Sequence, residues 1–298
     1  MKNIFKISII LLGILVFCSC EKTISIKQQS YTSKLSIQGL ITPHQFPQIY
    51  INRTVPYFDP KINTRDLTVD KAFVSLNDGI NSVQLKFDSS FNLHYCRYDY
   101  FYTSTVPIQS NKTYTLLVVF EGINYTANAT TSQVKVPINS TDYIPNFKDI
   151  YGEHEGVVIK YTDKPGEGDY YRYQMGRLID SSVKSVDGVN SKCTGGDKYY
   201  VKEIGRVIYS DKNLDGQNLS FAFEPAYDHK KNDQGYLALQ TVDKNIFNFY
   251  DNLEKQKLAE YNPFVEPVFI IPGQFGDKAI GVFGAYVVSD STLFTFPE

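Results

Sequence analysis

Short segments with apolar residues at every second position recur along most of this chain, each broken within a few residues by Gly, Pro, Asn or Asp. A period of two marks a strand with one buried face, because successive side chains point to opposite sides of a sheet. Leu35, Ile37, Gly39 and Ile41 alternate with Ser36, Gln38 and Leu40 and stop at Pro43; Ile49-Tyr50-Ile51 follows. Residues 72–76, the turn Asn77-Asp78-Gly79, and then Val83, Leu85 and Phe87 predict a hairpin. Segments 94–103 and 114–120 extend the pattern, and Glu121-Gly122 turns the chain into 123–129. Short strands with such frequent turns predict a β-sandwich, which Pro137 closes.

Beyond Pro137 the same grammar continues over 157–161, 170–178, 201–209, 219–223, 237–240, 268–271, 279–288 and 293–296. The stretch 180–198, rich in Ser, Gly, Asp and Asn, reads as a surface loop. One segment changes period. Ile246, Phe249, Tyr250 and Leu253 fall on one face of a helix expected over about 241–260, with Thr241 or Asp243 as its cap and Pro263 beyond its end. A lone amphipathic helix cannot bury its own stripe and must lie on the sheets. The expected fold is therefore mainly β. An N-terminal immunoglobulin-like or transthyretin-like β-sandwich covers 34–137, and a second β-domain over 138–298 carries the helix. Helices do not alternate with strands, which argues against a parallel α/β sheet.

The first residues follow a different logic. Lys2 and Lys6 precede an apolar run over 7–17, interrupted by Ser8 and Gly13, and Phe17-Cys18-Ser19-Cys20 ends it. A basic start and a short apolar core read as a bacterial secretory signal over 1–19, too short for a permanent membrane span. The last four residues resemble a lipobox, with Ser19 before a lipidated Cys20. Acyl chains of the palmitate class would then anchor the protein, and the polar stretch 20–33 would serve as a tether. Cys96 and Cys193 are the cysteines left over. Outside the cytoplasm they are a candidate disulfide, although their spacing does not establish that they meet.

A net charge of −2 without any basic run argues against nucleic acid as a partner. With 23 Tyr and 20 Phe but no Trp, the aromatic content suits pleated, half-buried surfaces.

Motifs that could carry chemistry are few. Asp211, Asn213 and Asp215, followed by Gly216, have the oxygen ligands and bend of a calcium loop, but Ala222 stands where a bidentate Glu belongs. A polar turn is the favoured reading, with weak calcium binding as the alternative; no other cofactor is expected. On a strand, Tyr98, Tyr100 and Tyr102 share one face. Such a row either packs as cross-strand pairs or binds a ligand by stacking, on a glycan for example. His44, His94, His154 and His229 have no metal-ligand spacing, and Glu153-His154-Glu155 lacks further partners in sequence. No nucleophile elbow, phosphate loop or dinucleotide fingerprint occurs, so no enzymatic role is expected. A carboxylate pair of the glycosidase kind, which needs no sequence proximity, leaves a hydrolase as the remote alternative. Asp290-Ser291-Thr292 resembles a short O-glycosylation signal.

Taken in order, several of these features carry a family resemblance. They are the lipobox at Cys20, Ser36-Ile37-Gln38-Gly39-Leu40-Ile41, Ala72-Phe73-Val74-Ser75-Leu76, and Asp163-Lys164-Pro165-Gly166-Glu167-Gly168-Asp169-Tyr170-Tyr171. The helix with Phe249, Tyr250 and Leu253, then Asn262-Pro263-Phe264 and Gly281-Val282-Phe283-Gly284-Ala285-Tyr286 complete them. Together they resemble a Bacteroidota family of outer-membrane lipoproteins catalogued as a domain of unknown function. Its genes typically neighbour those of TonB-dependent receptors. The resemblance implies an outer-membrane lipoprotein, facing either the periplasm or the cell surface, that assists a nutrient-importing receptor. A stand-alone glycan-binding lipoprotein is the alternative. The resemblance implies no catalytic residues.

Overall fold

The computed structural model describes residues 31–56, 64–93, 95–149, 152–180, 198–205, 207–261 and 273–297. The leader, Cys20, most of the tether, His94, the greater part of the 180–198 stretch, Asn262-Pro263-Phe264 and the strand expected over 268–271 lie outside them. Ser33–Glu298 forms one compact unit.

That body is mainly β. In its first half β1 (Leu35–Ile41), β2 (Gln48–Arg53), β3 (Phe73–Asn77), β4 (Ser82–Asn92), β5 (Arg97–Thr103), β6 (Thr113–Phe120) and β7 (Ile123–Thr130) follow one another, with a single turn of helix, α1 (Thr64–Leu67), after β2. Alternation becomes strand where one face can be buried. In β1, Leu35, Ile37 and Ile41 are buried while Gln38 is exposed. The expected hairpin forms, with Val74 opposite Leu85, and Asp78 accepts the amides of Ile80 and Asn81 in its turn. β4 changes partner along its length: residues 82–85 pair with β3 and 86–92 with β5. Apolar side chains of β1, β2 and β5 thereby meet those of β3, β6 and β7 in one core, the arrangement of a sandwich.

The second half contains β8 (Ile138–Asp149), β9 (Gly152–Thr162), β10 (Tyr170–Asp180), β11 (Lys198–Ile204), β12 (Tyr209–Ser210), β13 (Asn218–Phe223) and β14 (Gln234–Val242). The helix α2 (Lys244–Tyr261), β15 (Ala279–Val288) and β16 (Thr292–Thr295) follow. β13, β9 and β8 form a three-stranded sheet. Its inner residues Val157, Ile159, Tyr161, Phe221 and Phe223 pack against Tyr171, Met175, Leu237 and Leu239 of β10 and β14. β8 has no clear sequence signal, because Pro145 and its polar residues mask the alternation. Among the described residues it pairs only with β9, and its register shifts twice, which suits an edge strand.

The boundary expected at 137/138 falls between β7 and β8, yet β15 serves both halves. It pairs in parallel with β1 and antiparallel with β14, so a continuous path of strands runs from β11 to β7. Phe283 and Ala285 complete the first core, while Val282 faces the helix. Gly281, at φ 131°, allows β15 to approach β1, since a Cβ there would collide with the Ile37 carbonyl. α2 lies where its period placed it, with Ile246 buried against Val242 and Val282. Asp243 is the cap: its carboxylate accepts the Ile246 amide at 2.9 Å. Thr241 belongs instead to β14.

Candidate functional site

Three aspartates meet at one end of the second half because of strand pairing. Asp163 follows the last residue of β9, Asp169 precedes β10 and Asp211 follows β12. Tyr170 pairs with Ser210, so Asp169 and Asp211 are the next residues out, and the Asp211 amide donates to the Asp169 carbonyl at 3.2 Å. Thr162 pairs with Asn218, so Asp163 stands opposite Gln217 and donates to its carbonyl at 2.9 Å. One carboxylate oxygen from each aspartate lies within 4.8 Å of the others, and all three residues are buried.

The carboxylates also tie the two loops together reciprocally. Asp211 of the second loop accepts the Gly168 amide of the first at 2.9 Å, and Asp215 accepts that of Gly166 at 2.7 Å. In return Asp163 accepts the Gly216 amide at 2.9 Å and the Tyr171 hydroxyl. Gly166, Gly168 and Gly216 all adopt positive φ, which turns their amides toward these acceptors. Lys164 pairs with one oxygen of Asp169 at 2.7 Å. The other oxygen of Asp169 is enclosed without a hydrogen-bond partner, as is the Tyr161 hydroxyl. Burial pushes the Asp169 carboxyl above its ordinary range; Lys164 opposes that shift, and Asp163 and Asp211 add to it. Burial and then the Asp163 charge raise the Tyr161 phenol.

The loop residues that the alternative calcium reading named do not converge. Only Asp211 turns inward; Asn213 is exposed at φ 65°, and Asp215 is spent on the other loop. Asp163 and Asp169 stand 48 and 42 positions before Asp211, and only the pairing of β9 with β13 and of β10 with β12 brings them near it. The acidic ends of the 163–169 loop were the available sequence signal.

The tyrosine row is real but graded. On the shared face of β4 and β5, Phe91 lies opposite Tyr98, Ser89 opposite Tyr100 and Phe87 opposite Tyr102. Tyr98 is 52% exposed and Phe91 45%, and their rings meet edge to face at 5.1 Å. Tyr100 is half-buried, stacked on Phe87, with the Arg65 guanidinium 4.9 Å from its centre. Tyr102 is 2% exposed, and its hydroxyl donates to the Val69 carbonyl and accepts the Ala72 amide. It is therefore a core residue rather than a ligand contact, because the strand enters the sandwich at that point. Cys96, at the tip of the same hairpin, is disulfide-bonded; Cys193 lies outside the described residues.

Two of the scattered histidines, His154 and His229, gain partners in three dimensions. His229 bonds Glu155 at 2.8 Å and stacks on Phe296, Glu155 also accepts the Tyr143 hydroxyl, and His154 pairs with Glu224 at 3.2 Å. Sequence reasoning also missed a buried ion pair: Arg177 of β10 and Glu203 of β11 meet at 2.7 Å.

A family profile described as a domain of unknown function (DUF4249) matches residues 21–292. The chain belongs to the DUF4249 family. The match takes in every described element except the final residues of β16, so the DUF4249 unit includes both cores and the three-aspartate cluster. No curated protein matches the chain.

Proposed function

We propose that this DUF4249 chain is a lipid-anchored, non-enzymatic binding protein of the bacterial outer membrane, an accessory partner of a TonB-dependent nutrient receptor. The observation that carries this reading is the aromatic ridge of Phe91 and Tyr98, flanked by the half-buried Tyr100, which leaves two large rings in solvent on the β4–β5 hairpin. Exposed aromatics with neighbouring arginines suit a protein interface. The lipobox-like Phe17-Cys18-Ser19-Cys20, with the compact unit starting at Ser33, supports a short tether between an acyl anchor and the folded part. Among the described residues no helix is long and apolar enough to cross a membrane.

The test is capture of the intact lipoprotein from detergent-solubilised outer membranes, read by mass spectrometry. A TonB-dependent barrel is expected at near-equal abundance, depleted in the Cys20→Ala and Tyr98→Ala variants. Absence of any barrel from the wild-type capture would remove the accessory reading. The same ridge favours glycan stacking as a second reading. In that case Tyr98→Ala abolishes polysaccharide retention, and no barrel is captured.

A further inference from the structure

We propose that Asp163, Asp169 and Asp211 bind a calcium ion that clamps the β9–β10 loop to the β12–β13 loop. The site is distinct from the aromatic ridge, and the proposal does not depend on the membrane partnership.

The donor set is hard oxygen, which suits calcium or magnesium and not the softer transition metals. Oxygens within 4.8 Å of one another are close enough to share a single ion with bonds of about 2.3–2.6 Å. Magnesium dehydrates reluctantly and is seldom held by a buried set of protein oxygens, so the cluster suits calcium better. With all three carboxylates ionised, Lys164 offsets a single negative charge, and buried carboxylates crowded together repel one another. A divalent cation would neutralise the remainder.

Hydrogen bonding alone does not account for the cluster. Asp163 and Asp211 have amide or hydroxyl donors on their oxygens, which explains their burial as loop ties. Asp169 is different, since one oxygen bonds Lys164 while the other is sealed from solvent with no donor, in a residue only 9% exposed. The Tyr161 hydroxyl, in a residue 1% exposed, is similarly without a partner and lies close enough to Asp163 and Asp211 to feel their charges. Leaving such atoms buried and unpaired is costly unless something meets them. An ion bound by the Asp169 oxygen, with a water of its shell donating to the Tyr161 hydroxyl oxygen, satisfies both.

The experiment uses the full chain in detergent, stripped with chelator and then dialysed. Calcium alone is titrated by calorimetry, with thermal melting in parallel and with magnesium for comparison. Binding of a single calcium per chain is expected, at a dissociation constant of about 0.1–1 mM or tighter, as for extracellular sites. Calcium should raise the melting temperature by several degrees and magnesium by less. Asp169→Asn removes the oxygen that lacks a donor and leaves the loop ties of Asp163 and Asp211 in place. It should weaken calcium binding about tenfold or more and abolish the thermal shift. If that variant does not fold, terbium bound to the wild type decides. The absence of tryptophan leaves Tyr161 and Tyr171 to sensitise its emission, which calcium should quench competitively. No calorimetric or thermal response at millimolar calcium overturns the proposal. So does an undiminished response in a folded Asp169→Asn variant, and a magnesium shift as large as that of calcium overturns the choice of ion.

Discussion

Gly284 of β15 lies against the carboxylate of Asp243: a Cβ at Gly284 would come within 2.7 Å of Asp243 Oδ1 and would overlap the Ile246 side chain. The bare backbone lets Asp243 do two things at once. Oδ1 caps α2 through the Ile246 amide, and Oδ2 accepts the Ala285 amide at 2.8 Å. The helix entry is thereby fastened to the strand that joins the two halves. Gly284→Ala should destabilise the protein by about 1–3 kcal/mol through overpacking, read as a lower urea midpoint with unchanged slope.

Asp243 should also give the protein an unusual pH response. Burial raises its carboxyl to about 6, against the lowering effect of the amides it accepts. Between its unfolded value of about 3.9 and that raised value, the unfolded chain has lost the proton while the folded chain retains it. The stability due to this group is thus fully present below about pH 4, declines by about 1.4 kcal/mol per pH unit as pH rises toward 6, and levels off above. Asp243→Asn should flatten that decline. Denaturant midpoints at pH 4, 5, 6 and 7 check it, and identical slopes in the two proteins would refute the assignment.

Arg177 and Glu203 should be expensive to separate. Arg177 also donates to the Tyr227 carbonyl, and Glu203 accepts the Ala226 amide at 2.7 Å, so the pair holds the segment after β13. Glu203→Ala should destabilise by about 3–5 kcal/mol, because it leaves a buried guanidinium without its anion. Replacing both residues by apolar ones of similar volume should cost much less. Chemical denaturation of the single and double variants distinguishes the two cases.

Tyr98 and Tyr102 share a face but should respond unequally. Tyr98→Ala should change stability by only a few tenths of a kcal/mol to about 1 kcal/mol, since the ring is half in solvent. Tyr102→Phe should cost about 1–3 kcal/mol, because the Val69 carbonyl and Ala72 amide lose their common partner. Thermal melts of both variants, alongside the capture assay, separate a surface residue from a core one.

Much of the fold was legible in local pattern. β1, the β3–β4 hairpin and the β6–β7 turn at Glu121-Gly122 form where alternation and turn residues placed them. α2 forms where Ile246, Phe249 and Tyr250 repeat at helical spacing. β8 was not legible, because an edge strand with Pro145 and two register shifts needs no strict alternation. The sharing of the tyrosine face was legible as well, but not that it runs from solvent at Tyr98 into the core at Tyr102.

The sequence by itself determined the mainly β character, the approximate position of the helix and the hairpin turns, because each depends on residues within a few positions of one another. Only the tertiary structure decided that β15 pairs with β1, and that Asp163, Asp169 and Asp211 meet while Asn213 and Asp215 stay outside. Those outcomes rest on the registers of strands far apart in the chain. A shift of one residue would turn each carboxylate to the opposite face of its sheet. No local pattern encodes that choice; the burial of Tyr161, Tyr171 and Phe221 in a common core selects it.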